Sequence, residues 1–406
     1  AIAGDILVNG GTLTLSAANQ ISNTSVATLS TGIFNMGGFS ETVGGFVYNG
    51  GTFTQAGGTL TMANSSTALS MRNTTISGAL VVSGGGDIVF DATNNGTATV
   101  SGTLSLTGGT SQFNIANGTS ATDMLVSGVI SSTGAGITKI GLGTLQFSGA
   151  VANTYSGLTT VSNGNLLLTK IAGINAIGGD ALINGGALVL GAANQIPNTA
   201  IVTLSSGTFN LSGFAESIAT LNFNGGTFLQ GGATLTLANP TTALSMANTA
   251  ITGNLSITGA GAVVFDAVNN GTALISGNIS LGALSSPFNV ANGSASVDMS
   301  ISGVISSSGG GITTIGSGVL ELTGSLANTY TGLTTVSAGT VLLNKTAGVN
   351  AIGANAVING GSLVLGAANQ IPNTSMVTLS SGTFDLAGFS ETIATLNFNG
   401  GTLSQG

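Results

Sequence analysis

Cysteine, histidine and tryptophan are missing altogether from the 406 residues, and charge is nearly so: eight Asp, four Glu, three Lys and one Arg. Without Cys there is no disulfide framework, and without Cys or His no zinc finger and no Ser-His-Asp or Cys-His machinery. The four cations, Arg72, Lys139, Lys170 and Lys345, against a net charge of −8 cannot neutralise a phosphate backbone, which excludes nucleic acid as a partner. Apolar runs last a handful of residues before Gly, Asn, Ser or Thr interrupts them, far short of the roughly 20 that a spanning helix needs. Proline is limited to four residues and Gly lacks an every-third-residue period, so collagen is excluded too.

What is present is glycine, 67 residues of it, with Ala, Ser, Thr, Asn, Leu, Ile and Val, and a hydrophobic content of 42%. That is ample for a core. The material is repetitive. NGGTLTLSAANQI begins at Asn9 and returns as NGGALVLGAANQI at Asn184 and NGGSLVLGAANQI at Asn359, 175 residues apart each time. Phe34, Phe209 and Phe384 obey the same spacing, as do Glu41, Glu216 and Glu391, with no insertion or deletion. The chain divides into module one at 9–183, module two at 184–358 and the start of a third at 359–406. Modules two and three share about four-fifths of their residues over the overlap. The pattern is already running at Ala1-Ile-Ala-Gly-Asp5 and still running at Gly406, so the chain is expected to be a piece of something longer.

Within a module, Gly-Thr-Leu and Gly-Thr-Phe steps recur about every 19 to 22 residues, a solenoid period. Between them lie short alternating runs such as Thr103-Leu-Ser-Leu106, the signature of half-buried strands. Asn-Gly, Gly-Gly and Ser-Gly pairs supply turns with positive φ. Capped helical patterns are absent. The expected fold is all-β, a parallel β-solenoid with coils about 4.8 Å apart, so that eight or nine coils give about 40 Å per module. A tandem of immunoglobulin-like sandwiches would repeat near ~100 residues and fits less well. Phe34, Phe209 and Phe384 are expected to stack in the core. Asn9, Asn49, Asn184, Asn224, Asn359 and Asn399 stand at Asn-Gly corners and are read either as simple turn residues or as rungs of an amide ladder.

Two stretches are more distinctive. Ile137 to Leu168 reads ITKIGLGTLQFSGAVANTYSGLTTVSNGNLLL, and Ile312 to Leu343 reads ITTIGSGVLELTGSLANTYTGLTTVSAGTVLL. Both resemble the passenger-associated transport repeat of bacterial autotransporters. The match is carried by Gly141, Gly143 and Leu145, then Asn153, Thr154, Tyr155, Gly157, Thr159 and Val161, and in the second copy by Gly316, Gly318 and Leu320, then Asn328, Thr329, Tyr330, Gly332, Thr334 and Val336. The resemblance implies a right-handed β-helix displayed outside a Gram-negative cell and tethered there by a part not included in this sequence. The second copy departs from the first at Thr314, where the first has Lys139.

Chemistry has few residues to work with. Polysaccharide-cleaving β-helices need clustered acids, and here the acids are scattered. The densest group, Asp87, Asp91, Asn94 and Asn95, has calcium-ligand character, but module two has Ala262 in place of Asp87. Glu41, Glu216, Glu391, Asp123 and Asp298 read as solvated corners, and Lys170 and Lys345 as charges that solubilise a sheet edge. Thr-x-Thr pairs, which raise ice binding, do not recur on every coil. No cofactor, metal or catalytic residue is expected. Tyr48, Tyr155 and Tyr330 are too few for a glycan-binding aromatic face, and Tyr48 is replaced by Phe223 and Phe398 in the later modules, which points to burial. The expected role is structural, as a stalk, adhesin shaft or filament, with a carbohydrate-active β-helix enzyme or a glycan-binding adhesin as the alternative. A surface this low in charge repels its neighbours little, so end-to-end or lateral self-association is expected.

Overall fold

The computed structural model describes residues 2–94, 96–266 and 271–406. Parallel strands stack as a β-solenoid of about 19 turns. Among the described residues the helical content is a single 3₁₀ turn, Ala92–Asn94. Two compact units form, one from 1–200 with 206–214, the other from 201–205 with 215–406.

In the first unit each coil runs along up to three walls. Leu104–Leu106 shows how little sequence a wall requires: Leu104 and Leu106 point in and are fully buried, while Ser105 points out. It lies between Leu80–Val82 and Ile130–Ser131, in a wall that begins with Glu41–Val43 and Leu60–Met62. A second wall pairs Ala98–Val100, Met124–Val126, Thr144–Gly149 and Asn165–Lys170 in turn. A third carries Asp87–Phe90, Ser111–Ile115, Ile137–Ile140 and Thr159–Val161. Every one of these pairings is parallel. A coil takes from 19 to 26 residues, as between Asn35 and Thr54 or between Thr110 and Gly136. This is a wider spread than the Gly-Thr rhythm suggests, because corners and a few bulges, as at Val8–Asn9 and Asp87–Ile88, absorb the difference while most strand pairs keep register.

Register builds the core. Met124 faces Leu145, Leu145 faces Leu166, and Leu166 faces Leu188, all fully buried. A buried Leu of this kind contributes about 1.5–3 kcal/mol relative to leaving it exposed. Phe34 is 1% exposed and its ring lies 5.4 Å from Phe53 and 6.2 Å from Phe46. Phe209 and Phe384 are likewise buried, as is Tyr48, whose hydroxyl donates to the Gly51 carbonyl. Corners use the left-handed region: Asn19, Asn194 and Asn369 have φ of 54°, 52° and 53°. Asn tolerates that region better than other residues with a Cβ.

The second unit repeats the arrangement. Glu216–Ile218, Leu235–Leu237, Leu255–Ile257, Ile279–Leu281 and Ile305–Ser306 form one wall. Ala262–Phe265, Ser286–Val290, Ile312–Ile315, Thr334–Val336, Ala356–Leu365 and Met376–Asp385 form another.

Candidate functional site

In each unit, the wall that ends at a two-residue strand continues by other means. Beyond Ile130–Ser131 the chain at Asn153 is not a strand, yet the ladder goes on. The Asn153 side-chain Oδ1 accepts the Ile130 N–H at 2.9 Å, and its Nδ2 donates to the Ala176 carbonyl at 2.7 Å. Thr154 N–H donates to the Ile130 carbonyl at 2.9 Å. One side-chain amide therefore bridges three successive coils, and at 4% exposure it does so in the interior. Asn328 makes the same pair of bonds, to the Ile305 N–H at 2.8 Å and the Ala351 carbonyl at 2.7 Å. An amide suits this task because it carries both an acceptor and a donor.

Tyr155 and Tyr330 fill the coil behind the splice and are fully buried. Their hydroxyls meet Thr159 and Thr334 at 2.7 and 2.6 Å. Burial raises both phenol pKa values far above the usual range. The next coil passes so close that a Cβ at Gly178 would sit 1.7 Å from the Tyr155 carbonyl oxygen, and one at Gly353 would sit 2.0 Å from that of Tyr330. Only glycine fits there.

The Gly-x-Gly step is held by an acid. Asp123, fully buried, accepts Gly118 N–H and Thr144 N–H, both at 2.7 Å. Asp298 does the same with Gly293 and Val319. A Cβ at Gly143 would sit 2.3 Å from the Ala116 carbonyl oxygen and 2.7 Å from Asp123 Oδ2, so the second glycine of the step admits both the neighbouring coil and the carboxylate. Lys139 stands inward between Phe113 and Val161 and is also fully buried. Its Nζ donates to the carbonyls of Ile140 and Gly141 at 2.8 Å and of Asn163 at 3.1 Å. Burial lowers its pKa to about 8, with the Asp123 charge opposing the shift. In the second unit Thr314 takes this place, and its buried hydroxyl finds no partner among the described residues.

The solvated-corner reading of these charges is overturned. Asp123 and Asp298 are fully buried, and Glu41 and Glu216 are 1% exposed. Glu41 accepts the Gln20 N–H at 2.8 Å and the Ile21 and Thr42 N–H groups at 3.3 and 3.2 Å. Glu391 is half-buried and accepts from Gln370 N–H at 2.7 Å, with burial raising its pKa. Lys170 and Lys345 do not solubilise an edge. Each points inward at 1% exposure and donates to a backbone carbonyl, Ser148 and Thr323 respectively, at 2.8 Å. Burial lowers both pKa values, that of Lys345 to about 8. The signal was in the alternation: Leu166, Leu168 and Lys170 share one side of a strand, and so do Ile137 and Lys139. A buried carboxylate or ammonium is tolerated when backbone groups solvate it.

The Asn-Gly corners fall into two sets. Asn9, Asn184 and Asn359 each accept a hydroxyl from the next coil, from Thr31, Ser206 and Ser381 at 3.1, 3.2 and 3.3 Å. Asn49, Asn224 and Asn399 each donate their backbone N–H at 2.9 Å, to Leu29, Leu204 and Leu379. Asp91 is occupied by Arg72 Nε at 3.0 Å and by the Thr93 N–H and hydroxyl. These, with the Thr93 hydroxyl foremost, hold its pKa below the usual value. Asn95 lies outside the described residues. Among the described residues no three acids gather as a metal-binding group. A surface depression of about 360 Å³ is lined by Asn23, Thr24, Gly44, Ala63, Asn64 and Ser65, without an acid or base.

These buried groups set a pH window. Lys139 and Lys345 fall from 10.5 to about 8 on folding, so their neutral forms favour the fold. Stability should rise as pH climbs from about 8 toward 10.5. The buried phenols work the other way. Their unfolded value is 10.0 and the folded one is higher, so stability should be lost as pH rises beyond 10. Denaturant unfolding across this range should show a maximum near the crossover, and a flat profile would contradict the burial of these amines.

A scan against protein-family models matches the passenger-associated transport repeat at residues 137–168 and again at 310–343. No curated protein and no solved structure matches the chain.

Proposed function

From a chain that is a β-solenoid carrying two passenger-associated transport repeats, the make-up of an autotransporter passenger, we propose a non-catalytic structural segment of a long extracellular rod. The rod serves a Gram-negative cell as a stalk, adhesin shaft or self-associating filament. One observation carries this reading. The side chains best able to do chemistry, Asp123, Lys139, Asn153, Tyr155 and Glu41, are all spent inside on bonds to backbone groups or to a neighbouring hydroxyl. They stiffen the stack and leave the outside mainly to Ser, Thr, Asn, Gly and scattered apolar residues, with Asp5, Asp180 and Asp266 among its few charges. Exposed Leu142, Val151, Leu158, Leu284, Leu326 and Leu333 add apolar contacts that favour association between copies.

Electron microscopy of the full secreted protein tests the proposal. The expected particle is elongated, with an axial rise of about 4.8 Å per coil. Lateral bundling should respond little to added salt, because so few charges are there to be screened. A compact particle, or bundles dispersed by moderate salt, would overturn it.

A further inference from the structure

We propose that Asn163 is a site of spontaneous covalent modification, where the Gly164 amide closes on the Asn163 side chain and the product is drawn toward isoaspartate by Lys139. Asn-Gly pairs are prone to this reaction because glycine leaves the attacking nitrogen unshielded. In it the Gly164 nitrogen gives its proton to water and bonds to Asn163 Cγ. The Cγ–Nδ2 bond breaks, and ammonia leaves with the proton it needs. Water then opens the cyclic imide at one of its two carbonyls. Opening at Cγ gives aspartate, and opening at the α-carbonyl gives isoaspartate.

Nine Asn-Gly pairs lie within the described residues, and eight are held away from this geometry. At Asn9, Asn184 and Asn359 the side-chain oxygen is bound by a hydroxyl of the next coil. After Asn49, Asn224 and Asn399 the glycine N–H is turned to the Leu29, Leu204 and Leu379 carbonyls at 3.3, 3.2 and 3.2 Å. After Asn117 and Asn292 it is bound to Asp123 and Asp298 at 2.7 Å. At Asn163 the glycine N–H points instead at the preceding side chain, with Gly164 N 2.8 Å from Asn163 Oδ1. The nucleophile is held within hydrogen-bond reach of the side-chain carbonyl group it attacks, and the side chain is exposed, so water has access. Gly164 is fixed with φ of +60°, packed against the Gly141 and Gly143 carbonyls.

Lys139 bears on the second step. Its Nζ donates to the α-carbonyl of Asn163 at 3.1 Å. In the imide that carbonyl stays polarised by an ammonium donor, which favours water there. Once opened it is a carboxylate facing a buried cation whose other bonds go to neutral carbonyls. The reaction thus turns a carbonyl contact into an ion pair and lengthens the backbone by one methylene at the turn.

The second copy supplies controls that the fold already accepts, since Ala338 precedes Gly339 there and Thr314 replaces Lys139. Gly339 has φ of +62°, so the turn is alike. The purified chain is incubated at neutral pH, below the value of about 8 to which burial lowers Lys139, so that the lysine stays protonated, and is followed by peptide mass spectrometry with fragmentation that separates the two isomers. Asn163 should convert on the order of tenfold faster than Asn49, Asn224 or Asn399, and the difference should vanish in denaturant. Asn163→Ala should remove the signal, and Ala338→Asn should create an equally fast site. Lys139→Thr should leave the rate of imide formation but lower the isoaspartate share. A rate at Asn163 no greater than at the other pairs, or an inert Ala338→Asn variant, would overturn the site. An unchanged isomer ratio in Lys139→Thr would overturn the role of the lysine.

Discussion

Replacing Asp123 by alanine should destabilise the first unit by about 3–5 kcal/mol, the cost of removing one partner from a buried charged constellation. Two losses combine. The Gly118 and Thr144 N–H groups, each 2.7 Å from the carboxylate, are left without their acceptor. The Lys139 ammonium, whose charge the carboxylate offsets, keeps only carbonyls around it. The second unit offers the matched experiment. Asp298 makes the same two amide bonds, but the lysine position is Thr314. Asp298→Ala loses the same two amide bonds, about 1–3 kcal/mol for each orphaned group, but leaves no cation behind, so it should cost less than Asp123→Ala measured beside it. Denaturant unfolding combined with hydrogen exchange at Thr144 and Val319 separates the two. Equal losses at both sites would show that Lys139 gains nothing from Asp123.

Asn153→Ala should cost about 2–6 kcal/mol, because two buried backbone groups lose their partner at once and each orphan carries a penalty of about 1–3 kcal/mol. The Ile130 N–H and the Ala176 carbonyl stand in different coils, and the side-chain amide is their common partner. Asn153→Asp is the sharper probe. It keeps the shape and the acceptor but sets an anion against the Ala176 carbonyl, so it should be no better than alanine unless it takes up a proton. Exchange at the Ile130 amide reads the result directly. Unchanged protection of that amide in Asn153→Ala would show that the side chain fills space without carrying the ladder.

The walls of the solenoid were legible because alternation is a local property. Thr103-Leu-Ser-Leu106 needs no partner to be recognised as a strand, and the burial of Leu104 and Leu106 follows from period two. The polar interior was harder to read, for a definite reason. Rules of composition place Lys, Asp and Glu outside, whereas here backbone groups of neighbouring coils solvate them within. Alternation marks Lys139 and Lys170 as inward, and for Lys170 the charge argued instead for a sheet edge. Asp123, Glu41 and Asn153 could not be placed from sequence at all. Their partners lie about a coil away, as Glu41 lies from Gln20 and Asn153 from Ile130 and Ala176, and coil length varies from 19 to 26 residues. For Asn153 and Tyr155 the only sign was the resemblance of the surrounding motif, which gives their identity without their bonds.

A wall made of strands demands that every residue keep its place, because a slip of one reverses the whole set. A wall carried by one amide demands far less. Around Asn153 the chain must present that side chain, the Thr154 N–H and the Tyr155 ring, while Val151, just before them, is 62% exposed and Ala150 is exposed as well. Leu326 holds the corresponding place in the second copy and is 65% exposed. Both lie in the short approach to the amide, where no strand has to hold its register. This is where the chain can grow. An added loop just before Asn153 or Asn328 leaves the amide, its two bonds and the coils on either side as they are, whereas the same loop inside Thr144–Gly149 would misalign a wall. A scaffold spliced in this way can acquire a new surface without being rebuilt.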